Sequence, residues 1–170
     1  LEQAVSERQK LLEALGLHPG DKVCLRLRNS LEFMVNFYSI LAAGGIVIPI
    51  NPDFRDGEIQ YILEDSNARF LLYEAGELPL AEYGNVVRSG EICGDTGFLE
   101  VRDGLEEDAR GDNLTEGTAL IMYTSGTTGN AKGVMLTGAN LLKEMENVCA
   151  AHLLTGQDRV LCVLPWFHIN

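Results

Sequence analysis

Short apolar segments alternate with amphipathic ones along the whole chain. Val23, Leu25 and Leu27 alternate with other side chains, which predicts a strand. The uninterrupted apolar run at residues 46–50 is typical of a strand that is covered on both faces. Between these two segments, apolar residues at helical spacing predict a helix over residues 31–43. The alternation of strand and helix continues to the end of the chain.

Polar residues mark where the predicted helices begin. Asn29 or Ser30 is expected to cap the helix at residues 31–43, and Asp56 to cap the next helix. Strands that alternate with covering helices predict an α/β fold, a layered and largely parallel sheet with right-handed crossovers. The predicted helices cover residues 1–15, 31–43, 56–63 and 139–154, and the predicted strands cover residues 23–27, 46–50, 69–73, 85–92, 119–124, 134–137 and 159–164.

The charge of the chain is unevenly distributed. Of 170 residues, 25 are acidic and 13 are Lys or Arg, which gives a net charge of −12. Residues 95–116 hold eight acids and two bases, and we expect them to form a solvated loop with one short strand. Residues 118–142 carry Lys132 as their one charged side chain. The acidic balance argues against nucleic acid and anionic membranes as partners, because both attract positive surfaces.

The spacing of the cysteines and histidines bears on the cellular compartment of the protein and on metal binding. The four cysteines are widely spaced and form no C-x-x-C pair, which favours a reduced, cytoplasmic protein. The three histidines form no metal-ligand pattern with them. No apolar run approaches the roughly 18 residues of a membrane span, and the N-terminus lacks a signal pattern. Leu1 is not a methionine, so we expect that the natural chain begins elsewhere.

One segment contains most of the candidate functional residues. Residues 123–134 read Tyr-Thr-Ser-Gly-Thr-Thr-Gly-Asn-Ala-Lys-Gly-Val. Its glycines allow close approach of the backbone to a ligand, and its hydroxyls suit phosphate oxygens or Mg²⁺. The segment is neither a Walker A loop nor a dinucleotide-binding glycine motif. A plain hairpin tip is the alternative, but a run of hydroxyls and glycines followed by a lone lysine favours phosphate binding.

This segment closely resembles the signature phosphate loop of the adenylate-forming superfamily, which includes acyl-CoA synthetases, luciferases and amino-acid-activating domains. Residues 20–72 resemble the opening of that family, including its Ala-Gly-Gly and Asn-Pro corner. Residues 163–170, Val-Leu-Pro-Trp-Phe-His-Ile-Asn, resemble its later motif at the acyl pocket. The resemblance implies that residues 1–170 are the front part of the large N-terminal domain of an adenylate-forming enzyme.

The resemblance also implies roles for individual residues. His168 lines the acid pocket where amino-acid-activating domains commonly carry Asp, so His168 favours a fatty or aryl acid. Ala131 departs from the family's usual Pro, which removes a fixed φ and no functional group. Thr127 falls at the position associated with Mg²⁺. The residues expected to bind the phosphates of ATP and the departing pyrophosphate are Thr124, Ser125, Gly126, Thr127, Thr128, Gly129 and Lys132.

The implied reaction is ATP-dependent activation of a carboxylic acid to an acyl-adenylate, followed by transfer to coenzyme A. No residue of this chain is assigned a certain catalytic role, because the family's later elements and its adenylation lysine fall outside residues 1–170. We therefore expect the chain by itself to be inactive. The alternatives are an amino-acid-activating or carrier-protein-loading domain and a non-catalytic nucleotide-binding module.

Overall fold

The computed structural model describes residues 1–74, 86–93, 96–101, 117–124 and 131–168. Within these ranges, strands and helices alternate as the pattern predicts. The strands are β1 (Lys22–Arg26), β2 (Ile46–Pro49), β3 (Phe70–Glu74), β4 (Val86–Cys93), β5 (Thr96–Val101), β6 (Thr118–Thr124) and β7 (Lys132–Thr137), and the helices are α1 (Glu2–Ala14), α2 (Leu31–Ala42), α3 (Asp56–Ser66) and α4 (Gly138–Ala151).

The strands form one sheet in the order β4-β5-β3-β1-β2-β6-β7. Its four central strands, β3, β1, β2 and β6, are parallel to one another. The outer strands are antiparallel: β5 to β3, β4 to β5, and β7 to β6. The predicted α/β sheet with covering helices is confirmed, and its parallel part is the centre. The β4–β5 and β6–β7 connections span two and seven residues, too few for the crossover that a parallel pair requires.

Local chemistry fixes where the helices begin and end. Ser30 rather than Asn29 caps α2, because its hydroxyl accepts a backbone hydrogen bond from the first turn at 3.1 Å. The prediction that Asp56 caps α3 is wrong, since the cap is Arg55 and Asp56 is the first helical residue. A carboxylate in that first turn still stabilises the helix through the positive end of its dipole. Asn67 ends α3 in the left-handed conformation, with a φ of 58°.

Each face of the sheet has its own apolar core. On one face, Leu12 of α1 and Ile40 of α2 form a cluster of buried side chains with Leu25 of β1. On the other face, α3 covers the sheet. The buried cluster there includes Cys24, Ile48, Ile59, Ile62, Leu63, Leu71 and Ile121. Each fully buried aliphatic side chain contributes about 1.5–3 kcal/mol, so these two clusters hold α1, α2 and α3 on the sheet.

The predicted strand at residues 159–164 is wrong. Val160, Leu161 and Val163 are 69%, 86% and 74% exposed, and the segment has no strand conformation. An apolar sequence forms a strand only beside another strand that takes up its backbone hydrogen bonds, and no described strand pairs with this segment.

Helix α4 is present as predicted, although it ends at Ala151. Its apolar side chains remain partly uncovered, with Leu142 63% and Met145 59% exposed. They line one wall of a groove of about 700 Å³ whose other wall is Phe37 and Leu41 of α2. At 14 residues α4 is shorter than a span requires, and no helix in the described part of the chain could cross a membrane.

Candidate functional site

The four parallel strands end at one edge of the sheet. Their last residues are Arg26, Pro49, Glu74 and Thr124. In open α/β sheets, ligands bind in the crevice outside the carboxyl ends of the strands. This carboxyl edge is therefore where the fold favours a binding site.

Arginine neutralises the acids near this edge. The Arg28 guanidinium donates to Asp53 at 2.9 Å and lies 3.9 Å from Glu74. The Arg28 backbone N–H also donates to Glu74, at 2.9 Å. These exposed pairs contribute little stability, about 1 kcal/mol or less each. Their importance is electrostatic, because they reduce the repulsion that bare carboxylates would exert on an anionic ligand.

Two of the predicted phosphate-binding residues lie opposite each other at this edge. Thr124 is the last residue of β6 and Lys132 the first of β7, and the antiparallel register pairs them directly. Both are exposed. The hydroxyl and the ammonium group thus stand at the base of the connection between the two strands. The other predicted residues, Ser125, Gly126, Thr127, Thr128 and Gly129, lie outside the described residues.

Gly133 has a packing role that the sequence did not reveal. It was expected to belong to the loop and to allow close approach of a ligand, but it lies inside β7, opposite Tyr123. A Cβ at this position would lie 2.9 Å from Cγ2 of Ile121 and 3.3 Å from Cζ of Tyr123. Gly133 therefore makes room for the Tyr123 ring.

Two tyrosine hydroxyls tie the base of the loop to α3. The Tyr123 hydroxyl donates to Asp65 at 2.6 Å, and the Tyr61 hydroxyl donates to the backbone carbonyl of Ala131 at 3.0 Å. Burial, reinforced by the hydrogen bond to Asp65, raises the pKa of Tyr123 above its usual range. Desolvation and the Asp65 charge also raise the pKa of Tyr61. Both hydroxyls remain protonated at neutral pH and act as donors, so α3 holds both strands of the β6–β7 hairpin.

The segment that carries His168 is attached to the same edge of the sheet. Asn29 follows β1, and its side-chain amide donates to the carbonyl of Leu164 at 2.7 Å and accepts from the N–H of Trp166 at 2.9 Å. The Trp166 ring packs edge-on against Phe33 of α2, with 5.6 Å between centroids. Trp166 is therefore partly buried against the core. His168 is exposed, and its ring lies 4.8 Å from that of Phe167.

Within the described residues, the pair Thr124 and Lys132 and the segment of His168 lie at the same edge of the sheet, but no hydrogen bond connects them. Neither Thr124 nor Lys132 forms a hydrogen bond or ion pair with His168 among the contacts of the described ranges. A ligand in contact with both would therefore have to span the space between the Thr124–Lys132 pair and His168.

The residues at this edge suit a metal ion only if a bound ligand supplies most of its coordination. Among the described residues, no group of three His, Cys, Asp or Glu side chains could hold a metal ion by itself. Hydroxyl and ammonium groups suit phosphate oxygens, and Mg²⁺ is commonly held by substrate phosphates and water with few protein ligands. The donors present thus fit a magnesium ion that arrives with a nucleotide.

Comparison with known families identifies the family to which this fold belongs. The family model described as AMP-binding enzyme matches residues 1–170. The chain belongs to this family. Membership confirms the resemblance to adenylate-forming enzymes and fits the position of Thr124 and Lys132 at the carboxyl edge of this AMP-binding fold.

The relatives of this chain include several CoA ligases. It is 32% identical to an oxalate–CoA ligase of Arabidopsis thaliana over all of this chain and 34% of that protein. It is 31% identical to a long-chain-fatty-acid–CoA ligase of Mycobacterium tuberculosis over 94% of this chain and 33% of that protein. The chain therefore spans about a third of the length of these curated relatives. Their acids differ, so the family likeness leaves the acid open.

Solved structures agree with this assignment. The fold matches the o-succinylbenzoate–CoA synthetase of Bacillus subtilis, solved in complex with AMP, with a TM-score of 0.75 and 26% identity. The match covers 98% of this chain and 42% of that chain. The mixed sheet and its helices thus match the N-terminal domain of adenylate-forming enzymes.

Proposed function

We propose that this chain is the front part of an enzyme that activates a carboxylic acid with ATP and passes the acyl group to coenzyme A. The observation that carries the proposal is the placement of Thr124 and Lys132 at the carboxyl edge of an AMP-binding fold. The CoA ligases among its relatives support the choice of coenzyme A as acceptor. A carboxylate oxygen attacks the α-phosphorus, the bond to the bridging oxygen breaks, and pyrophosphate leaves.

The chain's own residues act on the phosphates. As pyrophosphate leaves, negative charge accumulates on its oxygens, and donors already in place stabilise that charge without further reorganisation. Lys132 supplies a full positive charge, and Thr124 supplies a hydroxyl on the opposite strand. We assign the same role, by resemblance, to Ser125, Gly126, Thr127, Thr128 and Gly129. Bound Mg²⁺ would neutralise phosphate charge, and we propose Thr127 as its protein ligand.

His168 belongs to the acid pocket in this proposal. Its segment is held at the same edge of the sheet by Asn29, which supports a location near the reacting carboxylate. An imidazole side chain offers no negative charge for an α-amine, so we favour an acid without an amine, and within that class a fatty acid. An amino-acid-activating domain is the competing assignment.

The length of the relatives bears on what residues 1–170 do alone. Those relatives are about three times as long as this chain. We propose that residues 1–170 form an incomplete part of the AMP-binding domain and do not catalyse by themselves. Cys24, Cys149 and Cys162 are free thiols, which supports the proposed cytoplasmic location.

The test is carboxylate-dependent exchange of pyrophosphate into ATP. The natural protein that contains this chain is assayed with short, long and aromatic acids and with amino acids. We expect exchange with an acid that lacks an amine, and coenzyme A as acyl acceptor. Exchange with amino acids alone would support the competing assignment, and nucleotide binding without exchange for any acid would support a non-catalytic module.

Two lysine variants make this test specific to the site. Lys132→Ala removes the predicted phosphate contact and should lower the exchange rate by about 10², the cost of one well-placed donor. Lys143→Ala is the matched control, because Lys143 is exposed on α4 and pairs with Glu146 at 3.0 Å. Equal activity in the two variants would contradict the role of Lys132.

A further inference from the structure

Asn29 makes a contact that its position next to a helix start does not explain. Ser30 is the cap of α2, so the Asn29 side chain is not needed there. Instead it reaches a segment 135 residues later in the chain. Its amide nitrogen donates to the Leu164 carbonyl at 2.7 Å, and its oxygen accepts from the Trp166 N–H at 2.9 Å. One side chain thus satisfies two backbone groups of the same turn.

The turn has few other attachments. The residues that precede it are largely in water, with Leu161 86% and Val163 74% exposed. Within the turn, the Trp166 ring packs against Phe33 at 5.6 Å, and its indole N–H lies 3.2 Å from Sγ of Cys162. Among the described residues, the Asn29 side chain and the core cluster around Phe33 of α2 therefore hold this turn in place.

His168 depends on the same turn. Its backbone N–H donates to the carbonyl of Pro165 at 3.3 Å, and Pro165 lies between the two residues that Asn29 holds. Its side chain is exposed. Movement of Leu164 and Trp166 away from Asn29 would therefore move His168 as well.

We infer that Asn29 is a positioning residue that fixes the His168 turn at the carboxyl edge of the sheet, and so sets the affinity for the acid. The inference rests on the proposed role of His168. Asparagine suits this task because the turn offers one carbonyl and one N–H, and a carboxamide supplies one donor group and one acceptor. Aspartate supplies acceptors alone, and its carboxylate would face the Leu164 carbonyl.

The first test needs no catalysis. Trp166 is the single tryptophan of the 170 residues, so its fluorescence reports on this turn. Loss of a hydrogen bond changes an equilibrium several-fold, and Asn29→Ala loses two. We expect the released state of the turn to become roughly tenfold more populated, with stronger acrylamide quenching and red-shifted emission. Asn29→Asp should behave similarly, because it loses the donor.

A matched control separates this effect from a general one. Asn51 also follows a strand, β2, and its side chain accepts from the Asp53 N–H of its own loop at 2.9 Å. Asn51→Ala should leave Trp166 quenching unchanged. Circular dichroism checks that all variants are folded, as expected for the exposed Asn29. Quenching equal to that of the unsubstituted chain in both Asn29 variants would overturn the inference.

The second test concerns the acid. In the natural protein, Asn29→Ala should raise the KM for the acid at least tenfold and leave the KM for ATP within about twofold. Equal changes in both KM values would overturn the positioning role. If the unsubstituted protein shows no exchange with any acid, the proposed function fails, while Trp166 quenching still decides whether Asn29 fixes the turn.

Discussion

Gly133→Ala tests whether Gly133, which follows Lys132 in β7, is needed for packing. The substitution adds one methyl group inside β7, on the face that α3 covers. That methyl would lie 2.9 Å from Cγ2 of Ile121, where ordinary carbon contacts are about 3.5–4.0 Å. Ile121 is 5% exposed and branched at Cβ, so it has little freedom to rotate away.

Two costs and one gain set the size of the expected change. Gly133 itself is exposed, but the added methyl would press on the buried Ile121 side chain, and overpacking of this kind costs about 1–3 kcal/mol. The methyl also lies 3.3 Å from the Tyr123 ring, and displacement of that ring weakens its hydrogen bond to Asp65, at about 1 kcal/mol. Replacing glycine in a strand with alanine restores about 0.5–1 kcal/mol. The free energy of unfolding should therefore fall by about 1–3 kcal/mol.

Urea unfolding followed by circular dichroism measures this change. With a typical urea dependence of about 2 kcal/mol per molar, the midpoint should fall by about 1 M. The matched control is Gly138→Ala at the start of α4, where a Cβ would meet nothing within 4 Å. The control should be as stable as the unsubstituted chain or slightly more stable. Equal midpoints for Gly133→Ala and Gly138→Ala would refute the packing role.

One further substitution and one labelling experiment follow from buried groups. Arg8 is 4% exposed and donates to Glu32 at 2.9 Å. Arg8→Met should lower the free energy of unfolding by about 2–3 kcal/mol, which is less than the loss of a fully buried ion pair because a third of Glu32 is exposed. An unchanged urea midpoint would contradict this prediction. Burial raises the pKa of the Cys24 thiol, so iodoacetamide at pH 8 should label Cys149 and Cys162 in the folded chain and Cys24 only after unfolding. Peptide mapping by mass spectrometry checks the order, and early labelling of Cys24 would contradict it.

The secondary structure was largely predictable because most of it depends on local patterns. The helix at α2 and the strand at β2 follow from spacing and from continuous apolar runs within a few residues. Residues 159–164 show the limit of that reasoning. They have the composition of a strand, but strand formation depends on a hydrogen-bonding neighbour elsewhere in the chain, which no local pattern contains.

The same distinction applies to the candidate site. Thr124 and Lys132 could be proposed from the sequence because their chemistry is concentrated in one short segment, and the structure adds that the two residues are paired across β6 and β7. Asn29 was missed, since its partners lie 135 residues away and its position suggested a helix cap. Gly133 was noted for the wrong reason, because a glycine that makes room for a ring and one that approaches a ligand look alike in a sequence.

The most direct test of the central claim follows the oxygen atoms of the acid. The natural protein is incubated with ATP, coenzyme A and a carboxylic acid labelled with ¹⁸O in both oxygens. Attack on the α-phosphorus leaves one labelled oxygen in AMP when the thiol takes the acyl group, so we predict AMP that carries ¹⁸O. Label in inorganic phosphate with release of ADP would instead indicate an acyl phosphate, and it would contradict the proposed adenylation.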